Sequence, residues 1–452
     1  MLKKNRSTGK PSRAKADLRA SASRRAFLAG AAGAGTLVGT HRAWAQSWLE
    51  SLQGFGYTPP RPRAAPRVVP EINDLRRDKI PWRSDEMLSM VAAAINRYER
   101  IVESGGWPPI RKGRMLRLDD EDERILAIKR RLAMSGELSA APSYFSYARF
   151  DERLEDAVRR FQEQFGLRVT GRVDQPTLGQ LAAPAAARLH QLRVNQRRIQ
   201  TLMQGRMEDR YVLVNAAAYQ LEAVEKYQVD RRHRVIVGKP NRQTPEVKAT
   251  IRALNFFPYW HVPDSVANLD LIPRLRKEPE YLQQEHIRVY STSGQELDPR
   301  DIDWNQVDAG KVRFKQDPGP WNALGLVRID MPNAEIVYMH DTPMKPLFAQ
   351  RVRPFSAGCV RVQDVFKLVE WIARYEIGWG EPGRAQQVID AGQPLDVTLT
   401  RPIPVYFTYI TAWGEGDGRA VFRPDIYGRD GSRELQGEQD NEAPPVPATL
   451  AP

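Results

Sequence analysis

The chain of 452 residues carries 68 Lys and Arg against 55 Asp and Glu, a formal charge of +13, and a single cysteine. One thiol excludes an internal disulfide framework and a four-thiolate zinc site. The basic excess argues only weakly for nucleic acid, because residues 1–45 hold ten Lys or Arg and one acid, leaving the remainder near +4.

The first 45 residues read as a leader. Seven Lys and Arg precede Ser23-Arg24-Arg25-Ala26-Phe27-Leu28, a weakly apolar Ala/Gly run follows, and Ala43-Trp44-Ala45 stands before Gln46. This is the pattern of a twin-arginine export signal, with cleavage after Ala45 and delivery to the periplasm as a soluble or wall-associated protein. The run from Ala26 to Val38 is short and glycine-rich for a bilayer span, so no stable membrane insertion is expected. Residues 46–80 are rich in Pro and Arg and read as a linker. Residues 81–118 form a helical scaffold segment, with a helix from Glu86 to Glu103 ended by Gly105-Gly106-Trp107-Pro108-Pro109.

Residues 119–184 read as a compact helical unit. Ile125, Ile128 and Leu132 make one apolar stripe, and Leu154, Val158, Phe161 and Phe165 make another at helical spacing. A turn, an extended piece and a short capped helix follow at Phe165-Gly166-Leu167, Thr170 to Asp174 and Thr177 to Leu181. Residues 185–208 form a charged linking helix whose basic face is expected to be solvated. From residue 209 to 409 short strand-like runs dominate, with Pro- and Gly-marked turns. They include Tyr211 to Asn215, Gln220 to Val224, Arg234 to Lys239 and Leu395 to Leu399. A polar, more helical stretch interrupts them at 264–313. Residues 410–452 read as an extension and a tail that is disordered from about Gly431.

Cys359 sits in Phe355-Ser356-Ala357-Gly358-Cys359-Val360-Arg361, and His340 in Tyr338-Met339-His340-Asp341-Thr342-Pro343. Val365, Leu368, Val369 and Ile372 predict a helix after the cysteine, which would lie at or shortly before its start, where a thiol pKa falls. Ser356 and Gly358 allow a tight turn, in which the Gly358 and Cys359 N–H groups form an oxyanion hole. Ile336, Tyr338 and His340 alternate as on a strand, with Tyr338 and His340 on one face. An imidazole facing a thiol is a nucleophile–base pair. The plainer alternative is a buried, unreactive cysteine. His190, His233, His261 and His286 form no spaced metal motif, and no metal or organic cofactor is implied.

These residues carry a resemblance. Tyr338 to Arg361 resembles the active-site signature of the L,D-transpeptidases (YkuD-type domain), in which a histidine and a loop precede Ser/Thr-x-Gly-Cys-x-Arg. Ala357 stands where many members carry a second histidine, one that the large periplasmic members with a capping subdomain often lack. Phe257 to Pro263 and Gln316 to Gly325 resemble two further family motifs. Ala157 to Leu167 and Gly171 to Leu178 resemble the three-helix peptidoglycan-binding domain. The resemblance implies an α+β chain: a mostly-β catalytic domain built as a sheet sandwich, an inserted helical cap at 264–313, and the small helical domain ahead of it.

It also implies a mechanism. Cys359 would attack the carbonyl between the third-position diamino acid and D-Ala of a peptidoglycan stem peptide, with His340 as general acid and base. The thioester would pass to the side-chain amine of a second stem. Tyr338, Ser356, Arg361 and Trp260 are the candidate substrate-binding residues, Arg361 for a carboxylate, although a surface ion pair would explain it as well. Carbapenems are the inhibitors the resemblance implies. Two other readings stand beside it: an L,D-carboxypeptidase or other cysteine hydrolase of wall peptides, and a non-catalytic wall-binding protein acting through the helical domain.

Overall fold

The computed structural model describes residues 74–436; the leader, most of the linker and the last sixteen residues lie outside the described part. Helix α1 (Asp85–Glu103) opens on Ser84, whose hydroxyl accepts from the Met87 N–H, and closes before two left-handed glycines, Gly105 and Gly106. That is the capping expected of a helix with a polar N-cap and a glycine stop.

Helices α2 (Arg124–Ser135), α3 (Glu152–Gln164) and α4 (Gln175–Ala182) form the predicted small helical unit. Both predicted stripes are fully buried in one core. Gln162 holds the turn between α3 and α4: its amide donates to the Arg172 carbonyl at 2.8 Å and its oxygen accepts from the Thr170 and Gly171 N–H groups at 2.9 Å. A buried amide with its donors and acceptor satisfied fixes a turn that the apolar pattern alone would leave loose.

Helix α5 (Ala185–Met203) links this unit to the sheet. Its basic face is not simply solvated. Arg188 is fully buried, donating to Gln180 and Gln191, and Arg198 pairs with the buried Asp430.

The sheet domain contains β1 (Arg210–Asn215), β2 (Gln220–Glu225), β3 (Gln228–Gly238), β4 (Val247–Phe256), β9 (Val327–Asp330), β10 (Met339–His340), β11 (Pro354–Ser356), β12 (Val360–Val362) and β13 (Leu395–Thr408). Their order is β11-β3-β12-β10-β9-β4-β13-β1-β2, and β2 pairs again with β3. The expected sandwich is therefore a sheet that closes on itself as a barrel, which leaves few open edges. Helix α6 (Val365–Ala373) places Val365, Leu368, Val369 and Ile372 in the core that also holds Val212, Val235, Val360 and Met339.

Between β4 and β9 lies an insertion with its own core. Strands β5 (Trp260–His261), β6 (Ile287–Ser291), β7 (Glu296–Leu297) and β8 (Val312–Gln316) form a four-stranded sheet with short helical turns between Asp264 and Gln284. The insertion is thus part sheet, where the sequence suggested mainly helix.

Residues 410–436 fold against the rest of the chain, and the tail expected to be disordered from about Gly431 lies, from residue 437 on, outside the described residues. Strands β14 (Ala412–Gly414) and β15 (Ala420–Phe422) lie against the N-terminal helices. Trp413 meets Trp82 edge to face at 5.9 Å, and Phe422 stacks on Phe165 at 5.1 Å. At the linker's end Asp74 receives Arg234 at 2.6 Å and Arg353 at 2.7 Å, so this part of the linker is pinned to the barrel.

Candidate active site

The site grows out of two neighbouring strands. β10 and β12 run parallel, with Met339 opposite Val360 and His340 opposite Arg361, and the Val360 N–H donates to the Tyr338 carbonyl at 3.0 Å. Side chains alternate along a strand. Met339 and Val360 therefore point into the barrel core, while His340 and Arg361 share the other face; Cys359 and Tyr338, one residue before the two strands, also touch that core. The Tyr338 and His340 rings meet edge to face at 5.7 Å.

Cys359 lies in the turn between β11 and β12, and strand β12 separates it from α6, which begins only at Val365. The helix N-terminus expected to activate the thiol is therefore not adjacent to it. Nor does the predicted strand extend back to Ile336, which adopts a left-handed φ of +55° and is 79 % exposed. Asn333 imposes that turn by donating to the Met331 and Val337 carbonyls at 2.6 and 2.7 Å.

The turn that carries the thiol is held from within and from behind. Ser356, expected to meet substrate, is fully buried: its hydroxyl donates to the Cys359 carbonyl at 2.6 Å and accepts from the Gly358 N–H at 3.2 Å. The Gly358 N–H thus faces Ser356, whereas the Cys359 N–H donates to no described residue. Gly358 has φ +128°, which only glycine adopts without strain. Behind the turn, the Thr244 hydroxyl donates to the Gly358 carbonyl at 2.8 Å and accepts from the Gly238 N–H at 2.9 Å. The Tyr427 hydroxyl in turn donates to the Gly238 carbonyl at 2.7 Å.

Electrostatics favour a neutral pair. Burial pushes the Cys359 thiol up to about 11, with Tyr338 and the Arg361 guanidinium acting in the opposite direction. Burial, then the Arg361 charge, brings His340 down to about 3, against the opposing effect of the Asp341 and Leu324 backbone beside the ring. The Asp341 carboxylate is engaged elsewhere. It accepts from the Leu326 N–H at 3.0 Å and pairs with Lys345. Its side chain also fills the space a Cβ at Gly325 would need, which accounts for that glycine.

Tyr338 lies beside both the Cys359 thiol and the Trp260 indole, and burial raises its phenol pKa well above the usual value. Trp260 is buried in the insertion's core, against which Tyr338 and Ala357 pack. Ala357 therefore contacts the insertion from the position where many chains of the resembled family carry a second histidine. Arg361 is not a surface residue: it is 2 % exposed, forms no ion pair with a described residue, and burial lowers it to about 10. Thr244, Tyr427 and the Asp341–Lys345 pair escaped the sequence reading. Only Thr244 gave a signal, as part of a Thr-Pro dipeptide.

Two segments of the chain match known protein families. Residues 209–397 match the family model "L,D-transpeptidase catalytic domain" (YkuD), and residues 121–181 match "Putative peptidoglycan binding domain" (PG_binding_1). A Haemophilus influenzae protein named "Putative L,D-transpeptidase" is 33% identical over 220 residues, 48% of this chain and 44% of its own length. The chain thus matches less than half of that relative. Among solved structures, an L,D-transpeptidase from Mycobacterium smegmatis overlaps 44% of this chain and 58% of its own at 14% identity and a TM-score of 0.22. One from Stackebrandtia nassauensis overlaps 66% and 96% at 12% identity and 0.24. Overlaps this shallow carry no argument.

Proposed function

With residues 209–397 forming an L,D-transpeptidase catalytic domain and a peptidoglycan-binding-type domain ahead of it, we propose that the protein cross-links peptidoglycan through a thioester on Cys359. The observation that carries this reading is the parallel pairing of β10 and β12, which sets His340 opposite the buried Arg361 with Cys359 in the turn that leads into β12.

Cys359 Sγ attacks the carbonyl of the third-position diamino acid, giving its proton to His340. The oxyanion is met by the Cys359 N–H and by the Tyr338 hydroxyl beside the thiol. The C–N bond to D-Ala breaks as the imidazolium protonates the departing amine. The side-chain amine of a second stem then attacks the thioester, and His340 takes its proton, so one difficult exchange becomes two easier ones. The depressed imidazole and raised thiol mean that proton transfer is uphill until substrate enters and supplies polar groups to the dry face. No metal or organic cofactor is required by these steps.

The same thiol would be the point of carbapenem acylation. The basic leader with its paired arginines supports export to the periplasm, where stem peptides serve as donor and acceptor. The test is incubation of purified mature protein with disaccharide-tetrapeptides beside Cys359→Ala. Cross-linked dimers lacking one D-Ala, absent with the variant, support the reading. Tripeptide monomers alone would point to a carboxypeptidase, and unchanged substrate would contradict catalysis on wall peptides.

A further inference from the structure

One carboxylate from the linker reaches both stalks of the turn that carries Cys359. Asp74 Oδ2 accepts from Arg353 Nη1 at 2.7 Å, and Asp74 Oδ1 accepts from Arg234 Nε at 2.6 Å. Arg353 stands one residue before β11, the strand that leads into the turn. Arg234 Nη1 donates to the Gln363 side chain at 3.2 Å, and the Gln363 N–H donates back to the Arg234 carbonyl at 2.9 Å. Gln363 stands one residue after β12, the strand that leads out. Residues 353–363 are therefore held at both ends through one side chain, with the thiol between them.

Arg353 is fully buried. It also donates to the carbonyls of Val235, Gln350 and Tyr219, at 3.1, 2.7 and 3.0 Å. Carbonyl dipoles satisfy the N–H groups but leave the charge, and among the described residues Asp74 is the carboxylate paired with it. Burial pushes the Asp74 carboxyl up, and the two guanidiniums outweigh it and hold it below the usual carboxylate range. The segment is itself seated by its main chain. The Asp74 carbonyl accepts from the Gln220 amide at 2.8 Å, and further along the Lys79 carbonyl accepts from the Val229 N–H at 3.0 Å.

We propose that Asp74 is a positioning residue for the Cys359 nucleophile, supplied from the linker ahead of the helical unit. The inference rests on the transpeptidase reading and deepens it. Without the carboxylate, Arg353 keeps a buried charge with only dipoles around it, and movement of the guanidinium toward water relieves that charge. Such movement draws β11 away from β3. There the Val237 N–H meets the Arg353 carbonyl and the Lys239 N–H meets the Ser356 carbonyl, each at 3.0 Å. The turn then loses its fixed relation to His340 on β10, which borders it through β12. Misplacing a nucleophile in this way slows the chemical step more than it weakens donor binding.

The experiment uses the full mature protein, as wild type, Asp74→Asn and Asp74→Glu. Asp151→Ala, which removes the N-cap of α3 in the helical unit, serves as a destabilised variant outside the clamp. Two readouts are taken at a temperature where every variant is folded: thioester formation from a disaccharide-tetrapeptide by intact mass, and hydrogen exchange in residues 350–363. In Asp74→Asn the maximal acylation rate should fall about 10- to 100-fold, with the half-saturating donor concentration changed less than about threefold. Exchange in 350–363 should quicken about tenfold or more. Asp74→Glu should recover part of both, and Asp151→Ala should change neither. Unchanged rate and exchange in Asp74→Asn would overturn the proposal, as would equal effects in Asp151→Ala. A wild-type protein that forms no thioester would overturn the transpeptidase reading, while the exchange readout would still decide whether Asp74 holds the turn. Should Asp74→Asn not fold, Arg234→Gln decides the matter, because it cuts the tie to the Gln363 side chain and leaves Arg353 paired. It should quicken the same exchange, and no change there would overturn the proposal.

Discussion

The Thr244 hydroxyl donates to the Gly358 carbonyl at 2.8 Å, from a loop remote in sequence from the turn that carries the thiol. Tyr427 supports the same loop by donating to the Gly238 carbonyl and stacks on Tyr409 at 5.1 Å. Cys359 is thus positioned in part through residues beyond the segment that matches the catalytic-domain family. Thr244→Val keeps the shape and removes both hydrogen bonds of the hydroxyl. It should cost on the order of 1–3 kcal/mol of stability for the buried groups left unpaired. It should lower kcat about tenfold or more with little change in KM. Tyr427→Phe should act the same way but more weakly. Thermal melting beside steady-state kinetics checks this, and an unchanged kcat in Thr244→Val would show that the turn holds itself.

A thiol pushed up to about 11 by burial should react slowly at neutral pH. The rate of Cys359 alkylation by iodoacetamide is expected to climb steadily from pH 7 to 10, with no plateau near the ordinary thiol value. A plateau below pH 7 would mean that the free protein already holds a thiolate–imidazolium pair.

His340 makes the fold acid-sensitive. Its folded-state value of about 3 lies below the ordinary 6.5, so between these values the unfolded chain binds the proton first. The associated stability is present above pH 6.5 and is lost as pH falls toward 3. His233, brought down to about 4 by burial, adds to it in the same direction. Denaturant unfolding at pH 7 and pH 5 should show a loss on the order of 1–3 kcal/mol in the wild-type protein. The loss should be smaller in His340→Gln.

Phe422 ties the C-terminal strands to the helical unit, stacking on Phe165 and meeting Tyr98 at 5.5 Å. Phe422→Ala should cost about 3–5 kcal/mol, read by chemical denaturation. A loss below about 1 kcal/mol would mean that residues 410–436 pack only peripherally.

The candidate Cys359 and His340 stood out in the sequence because they are rare residue types in a local pattern: one cysteine, a glycine before it, and a histidine on a short alternating run. The helical unit was legible for a similar reason, since its apolar stripes repeat at fixed spacing. Other features were decided by contacts distant in sequence. Ile336 continues the alternation, but Asn333 caps the neighbouring carbonyls and turns the chain left-handed, so the local hydrogen bonds override the β pattern. Arg188 reads as a solvated helix residue until Gln180 and Gln191 surround it. The extension containing Trp413, Phe422 and Tyr427 has a polar, glycine-rich local composition, and its order comes from Trp82, Phe165 and the loop at Thr244. The helix expected beside the thiol was correctly located from its apolar face, but the three-residue strand before it carries too little pattern to announce itself.

The claim on which the account turns is that Cys359 becomes acylated by the stem peptide with His340 as its acid. Wild-type protein, mixed with a disaccharide-tetrapeptide without acceptor and quenched in acid, should gain the mass of the donor minus one D-Ala. Fragmentation should place that mass on Cys359, and His340→Gln should accumulate it far more slowly. An adduct on another residue, or none under conditions that consume the donor, would contradict the account.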